Sequence, residues 1–468
     1  MRGVAAASPR PADPWEPARG AGDPLKPSEE RRPPTRTDSV AAAHLASLSL
    51  VDVVDVALRN NPQTHLSWRQ ARVAADALGS ARGRWLPTVS VDGTASPSKV
   101  ISANPARLPA ERTTETLTGS LSYLLLDFGG RSGNIGAARE ALFAADFSHN
   151  ATLQNVALQA ELSAFQYQSA RGLLLAAQAA VRTAEANLTA AERRHDVGLA
   201  TIGDVLQART ALSQAQLVEQ GASGTVQVNR ATLAAAIGVP PTDAFELALD
   251  TLPPAVQVVA TSVDSLIAQA ERDRPDLAAT RAQVRQANQV ARATLSSSWP
   301  SLTVAANRGR AWSSTPTLVG STYALTLGIS IPVFNGFSRQ YDAAAARDAV
   351  GAATARAEQA RLLAGAQVYA SYFALRTAAQ RVSTATELLA SATRSEEVAR
   401  GRYAEGVGSI LDVLSAQSAL ADARAQSVQA RWSWSAALAQ LAHDAGVLGP
   451  RGEPALPLIP ASSSGGPK

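Results

Sequence analysis

Two short stretches carry the residue types best suited to chemistry at a helix end, Thr201-x-x-Asp204 and Ser409-x-x-Asp412. A hydroxyl at N-cap accepts from the N3 amide, and a carboxylate at N3 reaches back to the N-cap amide, so each quartet fits a capping box. Glycines accompany both, Gly198 and Gly203 in one and Gly406 and Gly408 in the other, as a tight helical hairpin requires. Capping accounts for these residues without further function. Enzymatic chemistry has no comparable constellation. His44, His65, His149, His195 and His443 are scattered without metal-ligand spacing, and there is no nucleophile elbow, His-Glu-x-x-His or phosphate-binding glycine loop. Gly129-Gly130 is too weak to suggest a nucleotide site. No catalytic residue, cofactor or metal is expected.

The elements that must position these quartets are announced by a duplication. Pro62 and Pro275 are 213 residues apart, and so are Pro87 and Pro300. Further on the offset is 208: Leu121 through Arg131 matches Ile329 through Arg339, and Gly198 through Leu206 matches Gly406 through Leu414. The change of five residues falls between Pro87 and Leu121, where a loop absorbs length cheaply. Each copy reads as helix, hairpin, very long helix, sharp break, long helix. The opening helices are expected over Leu50–Gly83 and Val263–Ser297, and the long ones over Arg131–Val197 and Arg339–Glu405. At about 1.5 Å per residue the latter extend on the order of 100 Å, a length only coiled-coil-like packing stabilises. Tyr167, Leu174, Val181 and Leu188 recur every seven residues, as do Val368, Leu375, Val382 and Leu389.

Period-2 alternation marks the strands. Leu117, Gly119, Leu121 and Tyr123 alternate with Thr118, Ser120 and Ser122; Tyr323 through Ile331 places large apolar residues at odd positions; Val89/Val91 and Leu302/Val304/Ala306 follow the prolines. Strands are expected at about 87–97, 116–126, 300–308 and 322–333. A sheet with one apolar and one polar face suits a water-filled barrel, but four strands cannot close one, and open edges are not tolerated in lipid. Several protomers must then share it. Soluble hairpins resting on helices are the competing reading.

Composition sets further bounds. Of 468 residues 46% are hydrophobic but only 5% aromatic, and alanine and leucine dominate, which favours thin, close-packed helices. The net charge of +4 is dispersed, so nucleic acid is not an expected partner. Cysteine is absent, which excludes disulfides and thiolate metal sites. No apolar run is long enough for a membrane helix, so any crossing must use strands. Residues 1–45 are Pro-rich with no apolar h-region, and are expected to be a disordered tail and not a signal peptide. That leaves a misplaced start, a missing signal, or a protein that is not exported. The repeats are assigned to 46–255 and 256–449, with a second disordered tail at 450–468.

The duplicated helix–hairpin–helix plan, with glycine-bearing breaks followed by Asp-Val-Leu, resembles the outer-membrane efflux protein (TolC-like) family from about Leu48 to Gly449. The resemblance implies a mainly α chain with a small membrane β-barrel, assembled as a homotrimer of shared α-barrel and β-barrel in outer-membrane lipid. It implies a passive exit duct of a tripartite efflux pump or type I secretion system in a Gram-negative outer membrane, docked to a periplasmic adaptor and an inner-membrane transporter. A soluble or periplasmic coiled-coil adaptor or scaffold protein is the alternative; an adaptor would carry one hairpin, not two. In a trimer, Asp204 and Asp412 would form acidic rings that favour cations. The resemblance places Asp412 at an aperture aspartate and Tyr403 at an aromatic of the tip network. It departs at Ser415, where a second aspartate is usual, and at Gly408, where some members carry an arginine. The closed gate is then looser, or built from Ile410, Leu411 and Asp412. At the barrel–helix junctions Gly129, Gly130 and Gly336 are expected to bend the chain. Trp85 beside Pro87 and Trp299 beside Pro300 are either membrane-interface anchors or packing aromatics.

Overall fold

A computed structural model describes residues 8, 10–15, 48–100, 110–243, 245–248, 257–259, 261–314, 319–448 and 458–460. In chain order the elements are α1 (Leu50–Asn60), α2 (Pro62–Gly83), β1 (Thr88–Val100), β2 (Ala110–Leu126), α3 (Gly130–Asp196), α4 (Ile202–Ile237), β3 (Gln257–Val259), α5 (Val263–Asp273), α6 (Pro275–Ser296), β4 (Ser301–Ser313), β5 (Gly320–Ser330), α7 (Ser338–Ala404), α8 (Ile410–Asp444) and β6 (Leu458–Pro460). The chain is mainly helical with a small antiparallel sheet, and its second half repeats the first element for element. The two longest helices, α3 and α7, are each 67 residues.

Each opening helix, expected as one piece, is two. Asn61 and Arg274 sit between the pieces in extended backbone, with ψ of 127° and 122°. Proline's ring clashes with a helical preceding residue, so Pro62 and Pro275 each end one helix and start the next at N1, where the missing N–H is not needed. Asn61 uses the break: its side-chain Nδ2 donates to Ala236 O at 3.0 Å and its Oδ1 accepts from Gln63 N at 2.9 Å.

The residues form two compact units. The first comprises Met1–Arg69, Phe147–Ala278 and Ala360–Lys468. Its core draws on six helices: Val53, Val54 and Ala57 of α1, Val156, Ala157 and Ala160 of α3, Leu233 and Ile237 of α4, Leu266 of α5, Val368 and Leu375 of α7, and Leu441 of α8. Heptad positions Tyr167, Val181, Val368, Leu375 and Val382 are buried. Buried alanines between them allow close backbone approach, and each fully buried valine or leucine contributes about 2 kcal/mol.

Most of the tails expected at 1–45 and 450–468 lies outside the described residues. Residues 8, 10–15 and 458–460 are the parts of these segments that the structure describes. Trp15 is buried, meets Phe147 edge-to-face at 5.2 Å, and exchanges two 2.7 Å hydrogen bonds with the Asn150 amide. β6 pairs with β3. The buried indole against Phe147 and the two backbone bonds to Asn150 together help offset the cost of ordering a short segment.

The second unit, Gln70–Asp146 and Ala279–Gln359, holds the four-stranded sheet. Its order is β1-β2-β4-β5, every neighbour antiparallel, with β1 and β5 at the edges. The register sorts the side chains cleanly. Val89, Val91, Leu117, Leu121, Tyr123, Leu302, Val304, Leu325, Leu327 and Ile329 share one face; Ser90, Thr94, Thr116, Thr118, Ser120, Ser122, Thr303, Thr326 and Ser330 share the other. The hydroxyl face is laced by side-chain bonds, Ser90 to Ser120 at 2.8 Å and Thr94 to Thr116 at 2.6 Å.

Candidate functional site

Both α3 and α7 end in a left-handed glycine, Gly198 at φ 75° and Gly406 at φ 77°. The chain then closes by backbone bonds of a Schellman turn, Leu199 N to Arg194 O (2.7 Å) and Val407 N to Arg402 O (3.0 Å). Three residues later the next helix is capped. Asp204 N donates to Thr201 Oγ1 at 3.2 Å while Thr201 N donates to Asp204 Oδ2 at 2.9 Å. In the second copy both distances, Asp412 N to Ser409 Oγ and Ser409 N to Asp412 Oδ2, are 3.2 Å. One oxygen of each carboxylate is therefore held by the backbone, which fixes the side chain at the tip. Gly203 and Gly408 do not take positive φ but are tight: a Cβ on Gly203 would lie 3.3 Å from Thr201 Oγ1, and one on Gly408 3.1 Å from Tyr403 N.

The expected aperture residues separate by environment. Asp412, Leu411 and Ser415 are exposed, and Asp204 is half-buried. Ile410 is buried, so within a protomer it supports the tip and does not project from it. Behind the turns, Ala191, Val205 and Ala208 with Leu188 form one small core, and Ala392, Leu420 and Ala423 with Leu389 form another, a heptad further from its turn. Around the turns Val197, Leu199, Ile202, Val407 and Leu411 stay exposed.

A link between the two hairpins was missed in the sequence. The Arg194 guanidinium lies 4.7 Å from the Tyr403 ring centroid, and its Nη1 donates to Tyr403 O at 3.2 Å. Tyr403 thus meets the first hairpin through its ring and carbonyl, while its buried hydroxyl has no partner. Arg194 and Arg402 occupy equivalent positions of the repeat, and nothing in one sequence says which will cross. Deeper in the bundle Asn187 of α3 bonds Gln417 of α8, whose Nε2 also reaches Glu396 Oε1 of α7 at 3.4 Å.

In the sheet-bearing unit the junction residues also gather. Phe128 and Gly129 take positive φ (48° and 106°), as do Gly336 and Phe337 (69° and 67°), turning strand into helix. Gly130 is needed for approach, because a Cβ there would lie 2.7 Å from Ser296 Oγ. Trp85 lies beneath the Arg131 guanidinium at 4.6 Å, and Trp299 stacks on Phe128 at 5.6 Å. Both indoles have protein partners and both keep exposed surface. Pro87 and Pro300 fall between helix and strand on either side. No grouping of three metal-ligating side chains occurs among the described residues, and no helix among them is long and apolar enough to cross a membrane.

Comparison with known proteins gives this geometry its context. Protein CyaE of Bordetella pertussis is 28% identical over 394 residues, 83% of this chain and 81% of its own length. The solved structure of CusC superposes with a TM-score of 0.77 at 19% identity, covering 90% of this chain and 99% of that one. The outer membrane protein VceC of Vibrio cholerae gives 0.74 at 20% identity, covering 85% and 96%. The likeness to these two structures lies in the fold. The family model described as outer membrane efflux protein matches residues 53–239 and 266–447, one segment in each copy of the repeat. The chain belongs to the outer membrane efflux protein family.

Proposed function

We propose that this chain is one protomer of a homotrimeric duct in a Gram-negative outer membrane, reaching into the periplasm. The observation that carries the reading is the sheet: one face apolar, one face hydroxyl-rich, and two unpaired edges, β1 and β5, in a single protomer. Exposed edges are not sustainable in lipid. Because four antiparallel strands place β1 and β5 in opposite directions, the edge of one copy can pair antiparallel with the next and the ring can close. The polar face then lines water and the apolar face meets lipid. Residues 46–255 and 256–449 act as the two structural repeats, each giving two strands and one helical hairpin.

The duct carries substrate passively from periplasm to exterior, as the outer component of a tripartite efflux pump or type I secretion system. Drugs and metal ions are the substrate classes in view. The glycine-turned tips are its periplasmic aperture. Asp204 and Asp412 ring it with negative charge, Leu411 and Ser415 lie beside them, and the Arg194–Tyr403 contact holds adjacent hairpins together. The exposed apolar residues of the tips offer a docking surface for a periplasmic adaptor, which connects to an inner-membrane transporter. A periplasmic adaptor is the alternative, but an amphipathic four-stranded sheet with open edges has no use there.

Planar-bilayer conductance of the purified protein tests this. Cation-preferring pores are expected, with larger conductance and weaker cation preference in Asp412→Ala. A folded trimer that never conducts removes the duct reading.

A further inference from the structure

The apolar face of the sheet does not stay apolar along its length. On β4 it runs Leu302, Val304, Ala306 and then Arg308, Arg310 and Trp312, all on that same face by register. Arg308 stands between Gly119 and Tyr323, and Arg310 between Leu117 and Ser321. Both arginines are exposed, at the hairpin end of β4, away from its junction with α6. Each is flanked by an aromatic: the Arg310 guanidinium lies 5.6 Å from the Trp312 ring, and Tyr323, opposite Arg308, is 88% exposed. Other charges on this face are Glu115, opposite Trp312, and the Lys99–Glu111 pair, which satisfies itself at 2.8 Å. Neither arginine has a carboxylate partner among the described residues.

A guanidinium on a lipid-contacting face is costly unless it lies near the headgroups and meets an anion there. One pleat separates Arg308 from Arg310, about 7 Å along the strand, so two planar forks stand side by side where the apolar band ends. Guanidinium forks match phosphate oxygens two at a time, and tyrosine and tryptophan settle at the same depth.

We propose that Arg308 and Arg310, flanked by Trp312 and Tyr323, form a binding site for the phosphate-bearing headgroup of an anionic lipid, in the leaflet at the hairpin end of the sheet. The proposal rests on the membrane-spanning reading of the sheet. The apolar residues below, Ala306, Leu325 and Leu121, receive the acyl chains, and this separates a lipid from free phosphate.

The test titrates the purified, detergent-solubilised full-chain assembly with phosphatidic acid, counting bound lipid by native mass spectrometry. Phosphatidylcholine and inorganic phosphate serve as comparison probes. The Arg308→Gln/Arg310→Gln double variant is expected to weaken phosphatidic acid binding at least tenfold. Arg308→Lys/Arg310→Lys, which keeps charge but loses the fork, is expected to weaken it about threefold. Arg112→Gln, on the opposite face, should bind as wild type does. Equal binding by wild type and the glutamine variant overturns the site, as does displacement of the lipid by millimolar inorganic phosphate. If the glutamine variant fails to assemble, the lysine variant decides, and wild-type binding there overturns the site. Bilayer conductance of the same wild-type sample separates the two readings: a conducting pore with arginine-independent lipid binding sinks only this site, whereas a non-conducting trimer sinks the membrane reading beneath it.

Discussion

Arg194→Gln isolates the contact that ties one helical hairpin to the other. The substitution removes a guanidinium stacked 4.7 Å from the Tyr403 ring and a charged donor 3.2 Å from the Tyr403 carbonyl. A half-exposed cation–π pair contributes about 1 kcal/mol, and a charge-assisted bond to a carbonyl about another 1 kcal/mol after solvent competes for both groups. Together they amount to about 2 kcal/mol, or roughly thirtyfold in the local opening equilibrium at 1.4 kcal/mol per decade. The change should be confined to the tip, so hydrogen exchange reads it directly. The Gly406 and Val407 amides, bonded to Tyr403 O and Arg402 O, should exchange roughly thirtyfold faster, while Asn61, bonded to Ala57 O, should not change. Tyr403→Phe provides the contrast. Its buried hydroxyl has no partner, so the variant keeps ring and carbonyl and should exchange at the wild-type rate or slower. Tyr403→Leu loses the ring but keeps the carbonyl, so it should give about half the free-energy change of Arg194→Gln, roughly fivefold in exchange. If Tyr403→Phe proves as damaging as Arg194→Gln, the hydroxyl carries the link and the energetic assignment is wrong.

Three further perturbations probe the frame behind the tips. Gly238→Ala should destabilise the first unit by more than about 2 kcal/mol in thermal or denaturant unfolding, because Gly238 has φ 73° and a Cβ would meet Asn60 backbone atoms at 2.7 Å. Gly130→Ala should lower the melting temperature, and Ser296→Ala should recover part of the loss by removing the oxygen 2.7 Å from the new methyl group, although Asp127 Oδ2 at 3.1 Å remains. Burial raises the Glu161 carboxyl to about 8 and the Asp146 carboxyl likewise to about 8. The folded state therefore holds protons that the unfolded state releases above its ordinary carboxylate range. Stability is fully present below that range and is lost as pH rises toward 8, so the melting temperature should fall across that window and Glu161→Gln should flatten the fall.

What was legible in the sequence was whatever the backbone must do locally. Prolines at equal offsets marked the duplication and, at Pro87 and Pro300, where strands begin, although the helix breaks at Pro62 and Pro275 went unread; hydroxyl–carboxylate quartets after glycines marked the two tips, because capping needs those side chains within three residues of one another. Alternation likewise sorted the sheet faces. It did not bound the strands: β2 begins at Ala110, where Glu111, Arg112 and Thr113 show no alternation, yet they pair with Lys99, Ser98 and Pro97. A register set by the apolar stretch carries the ladder onward whatever the side chains are. Groups defined by distant partners were not legible. Nothing local sets Asp146 and Glu161 apart from the other polar residues of α3, and only packing buries them.

Duplication explains both the regularity of the frame and where it fails. Two copies of one unit yield two 67-residue helices, two glycine turns and two capping boxes. Exact equivalence would give tips with no preferred neighbour. The copies differ where they meet. Gly408 faces the ring-bearing end of α7, whereas its counterpart Ala200 accepts at 3.0 Å from the His195 ring. Arg194 crosses to Tyr403, while the position equivalent to Tyr403 in the first copy is His195, which stays with its own turn. A tyrosine offers a polarised ring face and a histidine does not to the same degree, so the cross-link forms in one direction only. Substituting His195→Tyr in an Arg194→Gln background therefore asks whether Arg402 takes up the contact in reverse. If it does, the direction is set by the ring alone; if it does not, the turn geometry at Gly408 decides it.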